Sequence, residues 1–89
     1  MPKKYRLEIV RSVKKDLRKI SKENLPEIIK KIRQLESNPR PTGAIRIKGT
    51  HSENIFRIRH ANYRIVYEIK EDVLIVLVIK VGHRKDVYR

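Results

Sequence analysis

Seven consecutive apolar residues, 73–79, form the longest apolar run of the chain and are mostly β-branched. A membrane-spanning helix needs about 20 such residues, so this run is too short to cross a bilayer. Its composition is typical of an interior β-strand that is covered on both faces. The chain must therefore supply neighbouring strands for it, and we predict a fold built around a sheet, with the last strand over residues 73–81.

The residues before this run predict its partner strands. Residues 55–60 and 63–70 are joined by Ala61-Asn62, which predicts a hairpin with a two-residue loop and Asn62 at positive φ. Residues 71–72 predict a tight turn into the last strand, which Gly82 is expected to end. Alternation near the N-terminus predicts a short half-buried strand, and residues 44–48 predict another.

Two amphipathic helices are predicted between the first strand and the others. Ser12 can cap the first helix, and Asn24 can cap the second, with Pro26 in its first turn. The second helix places five apolar residues on one face: Leu25, Ile28, Ile29, Ile32 and Leu35. We predict a single α+β domain over residues 1–89. In it, an N-terminal strand and a helical hairpin pack on a mainly antiparallel three- to five-stranded sheet.

The charge of the chain narrows the class of partner. Lys and Arg number 23 against 10 Asp and Glu, which gives a net charge of +13 and favours a polyanion such as nucleic acid. An anionic membrane or an acidic protein segment would satisfy the same charge. Without cysteine, and with three scattered histidines, we expect no metal site and no cofactor. No signal-peptide pattern is visible, so we expect a cytoplasmic protein that does not enter a membrane.

The predicted hairpin sorts its side chains onto two faces. A two-residue loop places Arg59 opposite Arg64 and Arg57 opposite Val66 on one face. Phe56, Ile58, Ile65 and Tyr67 then share the other face, toward the helices. Directly opposed arginines repel each other, and a phosphate bound between them would relieve the repulsion. The alternative is an ordinary solvated face that Glu68 partly compensates.

The tail after the last strand carries a second group of reactive side chains. His83 can exchange a proton near neutral pH. Arg84 can neutralise charge that develops on a phosphate. Tyr88 can stack on a base or donate its hydroxyl. Any one of these residues on a polar tail would mean little, but the complete string over residues 82–88 is specific.

Four strings together carry a resemblance to a known family: Ile47-Lys-Gly49, Phe56-Arg-Ile-Arg59, Tyr63-Arg-Ile-Val-Tyr-Glu68 and Gly82-His-Arg-Lys-Asp-Val-Tyr88. Over nearly its whole length the chain resembles the RelE/ParE toxin superfamily, on the RelE side. The resemblance implies a toxin that enters the ribosomal A site and cuts mRNA without a metal. It also implies a hetero-oligomer with a cognate RelB-like antitoxin. The implied site residues are Arg57, Arg59, Arg64, Arg84 and Tyr88, with His83 at a variable position of the motif.

Arginines at 57 and 59 stand where some relatives carry lysine. An arginine does not give up its proton, so it cannot serve as a general base; His83 and Tyr88 are the candidates. The inferred reaction is attack of a ribose 2′-hydroxyl on its own 3′-phosphate, which yields a 2′,3′-cyclic phosphate. Two alternatives stay open: a ParE-like inhibitor of a protein target such as DNA gyrase, and a degenerate toxin that only binds its antitoxin.

Overall fold

A computed structural model describes residues 4–47 and 54–83 of the chain. Its elements, in chain order, are β1 (Arg6–Ile9), α1 (Arg11–Arg18), α2 (Leu25–Gln34), β2 (Ile45–Arg46), β3 (Ile55–His60), β4 (Tyr63–Lys70) and β5 (Ile75–His83). The five strands form one sheet in the order β1-β5-β4-β3-β2. The predicted α+β arrangement is confirmed, and four of the five strands are joined antiparallel.

The N-terminal strand makes the sheet mixed. β1 runs parallel to β5, with Leu7 opposite Val76 and Ile9 opposite Val78. β5 therefore lies between β1 and β4, as an interior strand. Val76 and Val78 are fully buried on the helical side, whereas Ile75 and Leu77 on the other side are only half-buried. The prediction of a strand covered on both faces is thus correct for one face only.

The turns around the last strands differ from the predictions. β5 begins two residues later than predicted, because residues 71–74 all belong to the turn and Leu74 has a φ of 53°. Its described part reaches His83, two residues beyond the predicted end. Gly82 accordingly lies inside the strand and does not end it. In the hairpin loop Ala61, not Asn62, has the positive φ, also 53°. A single left-handed residue at the first loop position is sufficient for a two-residue hairpin.

The helices also begin differently from the capping prediction. α1 starts at Arg11 after Val10 and has no side-chain cap, so Ser12 lies inside the helix. Asn24 does precede α2, but its side-chain amide donates to Ser21 Oγ at 3.0 Å and does not cap the helix. Of the predicted apolar stripe of α2, Ile29 is exposed, and the other members contribute to the core.

Tyr67 connects the sheet to the linker that follows α2. Its side chain is fully buried, and its hydroxyl donates a hydrogen bond to the Pro39 carbonyl oxygen at 2.7 Å. The Tyr67 ring stacks on Phe56, with 6.1 Å between ring centroids. The Arg40 guanidinium lies 5.4 Å from the Phe56 ring centroid and also pairs with Glu71. These contacts hold the linker across the sheet and fix where residues 41–43 lie beside β3.

The buried hydroxyl of Tyr67 makes folding stability depend on alkaline pH. Burial raises the pKa of Tyr67 from 10.0 to about 12, with the charge of Arg40 acting in the opposite direction. Between these two values the unfolded chain loses the proton and the folded chain keeps it. Stability is therefore present below pH 10 and is lost between pH 10 and 12, at up to about 1.4 kcal/mol per pH unit.

Urea denaturation of the parent and of Tyr67→Phe at several values from pH 9 to 11.5 measures this contribution. The variant should lose about 1 kcal/mol near pH 8, because the Pro39 carbonyl loses its donor. Above pH 10 the variant should fall in stability less steeply than the parent. Equal slopes in the two proteins would show that Tyr67 does not carry the alkaline sensitivity.

Candidate functional site

The β3–β4 hairpin has the register predicted from the sequence. Arg59 lies opposite Arg64, and Arg57 lies opposite Val66. Phe56, Ile58, Ile65 and Tyr67 pack into the core under the helices, as expected. Arg57, Arg59 and Arg64 therefore project from the side of the sheet that faces away from both helices. We call these three residues the arginine row.

The members of the arginine row differ in depth. Arg59 is exposed, Arg57 is half-buried, and Arg64 is only 3% exposed. Arg64 lies on β4, the middle strand, with Arg59 beside it on β3 and Gly82 beside it on β5. A guanidinium stays charged at any relevant pH, so Arg64 adds fixed positive potential beneath the surface, where salt screens it less. Arg59 is the member placed to make the first contact with an anion.

A cavity of about 400 Å³ opens at the edge of the sheet next to the arginine row. It exists because β2 is short: β2 pairs only with Phe56 and Arg57, which leaves the following part of β3 without a neighbouring strand among the described residues. Five of its lining residues have polar side chains: Lys31, Gln34, Thr42, Arg57 and Arg59. A sixth, Gly43, has no side chain to cover its backbone. We call it the edge cavity. None of the described residues that line it is acidic.

His83 lies away from the arginine row. It is opposite Tyr63 at the end of β5, and the two rings meet edge to face with 5.8 Å between centroids. Since Tyr63 shares its face with Ile65 and not with Arg64, His83 lies on the helical side of the sheet. There it lines a second cavity of about 500 Å³ with Lys19 and Lys80. The structure therefore does not bring His83 together with the arginines.

The other two predicted site residues, Arg84 and Tyr88, lie outside the described residues, and so does the Lys48-Gly49 part of the resemblance. The described chain ends at His83, one residue beyond the partner of Arg64 on β5. Arg84 thus follows directly on a strand whose last pairs flank the arginine row. Its predicted role, and that of Tyr88, stays a prediction from the sequence motif.

Asp16 fixes the end of β5, where β1 no longer accompanies it. Its carboxylate accepts a hydrogen bond from the Val81 backbone N–H at 3.5 Å and lies 3.6 Å from Lys80 Nζ. The Asp16 side chain is only 16% exposed. A side chain from α1 thus takes the place of a strand neighbour two residues before His83. Asp16 was not among the predicted site residues, although an acid beside the apolar stripe of a basic helix was the available signal.

Neither a metal-binding cluster nor a membrane-spanning helix is found among the described residues. Within residues 4–47 and 54–83, no three histidine, aspartate or glutamate side chains lie close enough together to hold a metal ion. In the same part of the chain, no helix is long and apolar enough to span a membrane.

Comparison with known proteins finds similarity over most of the chain. The family model described as ParE toxin of type II toxin–antitoxin system, parDE, matches residues 7–88. RelE1 of Methanocaldococcus jannaschii, named as a toxin candidate, is 30% identical in an alignment of 89 positions, which covers 97% of this chain and 97% of that one.

Solved structures support the same likeness. A chain of the archaeal RelE–RelB complex from Pyrococcus horikoshii OT3 superposes with a TM-score of 0.80 at 25% identity, over 91% of this chain and 96% of that one. A chain of the RelB–RelE antitoxin–toxin complex from Methanococcus jannaschii gives a TM-score of 0.73 at 27% identity, over 91% and 94%. The likeness therefore covers the helices and the sheet together, not a single motif.

Proposed function

The chain belongs to the ParE toxin family of type II toxin–antitoxin systems, and we propose that it acts as an endoribonuclease that cuts mRNA in the ribosomal A site. The arginine row carries this proposal: Arg59 is exposed at its centre and buried Arg64 lies directly opposite. Phosphates are the anions that guanidinium groups bind best, in a bidentate geometry. We propose that this cleavage takes place in the cytoplasm and that it stops translation.

The reaction we propose uses the message as its own nucleophile. The 2′-oxygen of one ribose attacks the adjacent 3′-phosphorus, and the bond from phosphorus to the 5′-oxygen of the next nucleotide breaks. The products are a 2′,3′-cyclic phosphate and a 5′-hydroxyl. A base takes the 2′-hydroxyl proton, and a proton is delivered to the leaving 5′-oxygen. Arg57, Arg59 and Arg84 stabilise the charge that grows on the phosphate oxygens.

The position of His83 bears on the identity of the base. His83 lies with Tyr63 on the helical side, apart from the arginines, so of the two candidates we propose Tyr88 as the group that takes the 2′-proton. His83 is the alternative. A His83→Gln variant that cuts as fast as the parent would assign the role to Tyr88.

We also propose that the toxin is held inactive in a hetero-oligomer with a RelB-like antitoxin. The relatives from Pyrococcus horikoshii and Methanococcus jannaschii are RelE proteins solved with RelB. A partner of this chain must neutralise part of a net charge of +13, so its contact segment should be acidic. Exposed apolar side chains such as Ile29 on α2 call for apolar residues in the same segment.

A second candidate function is inhibition of a protein target such as DNA gyrase without cleavage. The observation in its favour is the family model, which describes ParE toxins. Against it stands the complete set of arginines with Tyr88, which a pure binding inhibitor does not need. If the chain inhibited a protein target without cleavage, growth would stop while the message stayed intact.

Translation in a reconstituted system, followed by toe-printing of the message, tests the proposal. The parent should produce breaks within the A-site codon on ribosomes and none on the same RNA alone. Arg59→Glu should lower ribosome affinity about tenfold or more, because it removes a charge-assisted bond and adds repulsion. Arg33→Glu on the exposed face of α2 makes the same charge change away from the arginine row and should have a much smaller effect. Growth arrest with an intact message would replace this proposal with the second candidate.

A further inference from the structure

We infer that the edge cavity binds one nucleotide of the RNA strand beside the scissile phosphate, with Lys31 as a phosphate ligand. The inference rests on the proposed function for the source of that nucleotide. Arg57 and Arg59 of β3 are among the residues that line the cavity, so a strand held by the arginine row on the far face runs beside the same edge of the sheet. Opposite β3, the wall of the cavity comes from α2, which carries none of the residues of the arginine row.

The wall from α2 is built for a polar anionic ligand. Lys31 and Gln34 are three residues apart on α2, so they lie on one face, one turn from each other. Lys31 contributes a cation from α2, and Arg57 and Arg59 add positive charge at the same sheet edge although their side chains project to the far face; none of the described lining residues is acidic. The Gln34 amide and the Thr42 hydroxyl add groups that both donate and accept hydrogen bonds. A phosphate with its ribose matches this combination.

The backbone at the cavity is open as well. Gly43 has a φ of +93°, and a Cβ placed on it would meet nothing within 4 Å. Ile47 N–H donates to the Ile55 carbonyl oxygen, so alternation directs the peptide groups of residues 55, 57 and 59 toward the β2 side. β2 begins only at Ile45, opposite Arg57, so the peptide groups of Arg59 face the cavity beside Gly43. Such strand-edge groups can bond the edge of an unstacked base.

The volume of the cavity agrees with a ligand of this size. Small-molecule sites run from about 300 to 1,000 Å³, and the edge cavity has about 400 Å³. An acidic peptide segment is the competing occupant. Protein interfaces are depleted in lysine and enriched in apolar anchors at their core. This cavity has apolar lining at Pro41, Ile45 and Ile58, but it also has Lys31, Gln34 and Thr42 and no acid among its described lining residues. The lining therefore favours a nucleotide.

Lys30 and Lys31 give a matched pair for the test. They are adjacent on α2, but Lys30 is exposed and does not line the edge cavity. Glutamine suits a helix about as well as lysine does, so both lysine-to-glutamine variants should fold. The isolated toxin is titrated with adenosine 3′-monophosphate and, separately, with inorganic phosphate, while backbone amide resonances are followed by NMR. The amides of Thr42, Gly43 and Arg59 should shift saturably with the nucleotide, and more weakly with phosphate.

Lys31→Gln should weaken nucleotide binding roughly tenfold, the effect of losing one charge-assisted bond, and Lys30→Gln should leave it nearly unchanged. On ribosomes, Lys31→Gln should raise KM and leave kcat close to that of the parent. Equal losses in the two variants, or unmoved Thr42 and Gly43 amides, would overturn the inference. So would a site that binds an acidic antitoxin peptide through Lys31 but no nucleotide. Nucleotide binding in a toxin that never cuts message would support the site and refute the proposed nuclease.

Discussion

Arg84→Ala and Tyr88→Phe should each slow message cleavage on ribosomes about a hundred- to a thousandfold, the usual effect of removing one well-aimed transition-state group. Arg84 follows His83 in the sequence, and the last described pairs of β5 flank Arg64; the role we propose for Arg84 is to stabilise charge on the phosphate. Tyr88 supplies the hydroxyl that we assign to proton transfer. Both residues come after the last strand, so their loss should remove little core packing.

Single-turnover cleavage on programmed ribosomes gives the rate, and a thermal melt of each variant gives the fold. Lys85→Ala is the matched control, because it removes a cation from the same tail without touching the assigned residues. The melting temperature should be the same in the parent and all three variants. If Arg84→Ala and Tyr88→Phe cut message as fast as Lys85→Ala does, the tail is not part of the site.

The register of the central hairpin could be predicted because two independent signals agree. Alternation with period two divides residues 55–70 into a core face and an arginine face. A two-residue loop leaves one way to pair them, with Arg59 opposite Arg64. The structure has that register throughout β3 and β4. The turn conformation itself was predicted at the wrong residue, since Ala61 takes the positive φ despite the preference of asparagine for that region.

The same alternation did not predict how deeply each arginine side chain is buried in the sheet. A period of two gives the face on which a side chain lies, but it does not give the distance from the sheet edge. Arg64 is buried because β4 is the middle strand, and that position follows from β1 joining the sheet beside β5. The parallel pairing of β1 with β5 joins residues about 70 positions apart, which no local pattern of residues specifies.

The lining of the edge cavity is a second feature that local sequence patterns do not specify, because it depends on how the elements pack together. Helical periodicity places Lys31 beside the apolar stripe and Lys30 opposite it, but it does not give the element that Lys31 faces. In the assembled fold Lys31 lines the edge cavity together with residues 41–43 of the linker and with β3. Asp16 is the same kind of case: its role depends on β1 ending before β5 does. Residues that act across elements become visible only when the elements are assembled.

A message with a single 2′-deoxynucleotide on the 5′ side of the scissile phosphate should not be cut at all. Without the 2′-oxygen no cyclic phosphate can form, whatever the arginine row and the tail contribute. The substitution leaves every phosphate in place, so the toxin should bind the same ribosomes with unchanged affinity and salt dependence. Toe-printing with the unmodified message first locates the break, and the modified message is then compared at that position.

The control is the same substitution moved one nucleotide toward the 3′ end, which leaves the attacking hydroxyl intact and should restore cleavage. On the unmodified message, the 5′ end of the downstream product should accept phosphate from polynucleotide kinase directly, because it carries a free hydroxyl. Cleavage of the deoxy-substituted message at the original position would mean that water is the nucleophile, and the assignment of Tyr88 as the base for a 2′-hydroxyl would then fail. Arrest of growth by a toxin that cuts neither message would instead favour the gyrase-type inhibitor, because that activity requires no ribose hydroxyl.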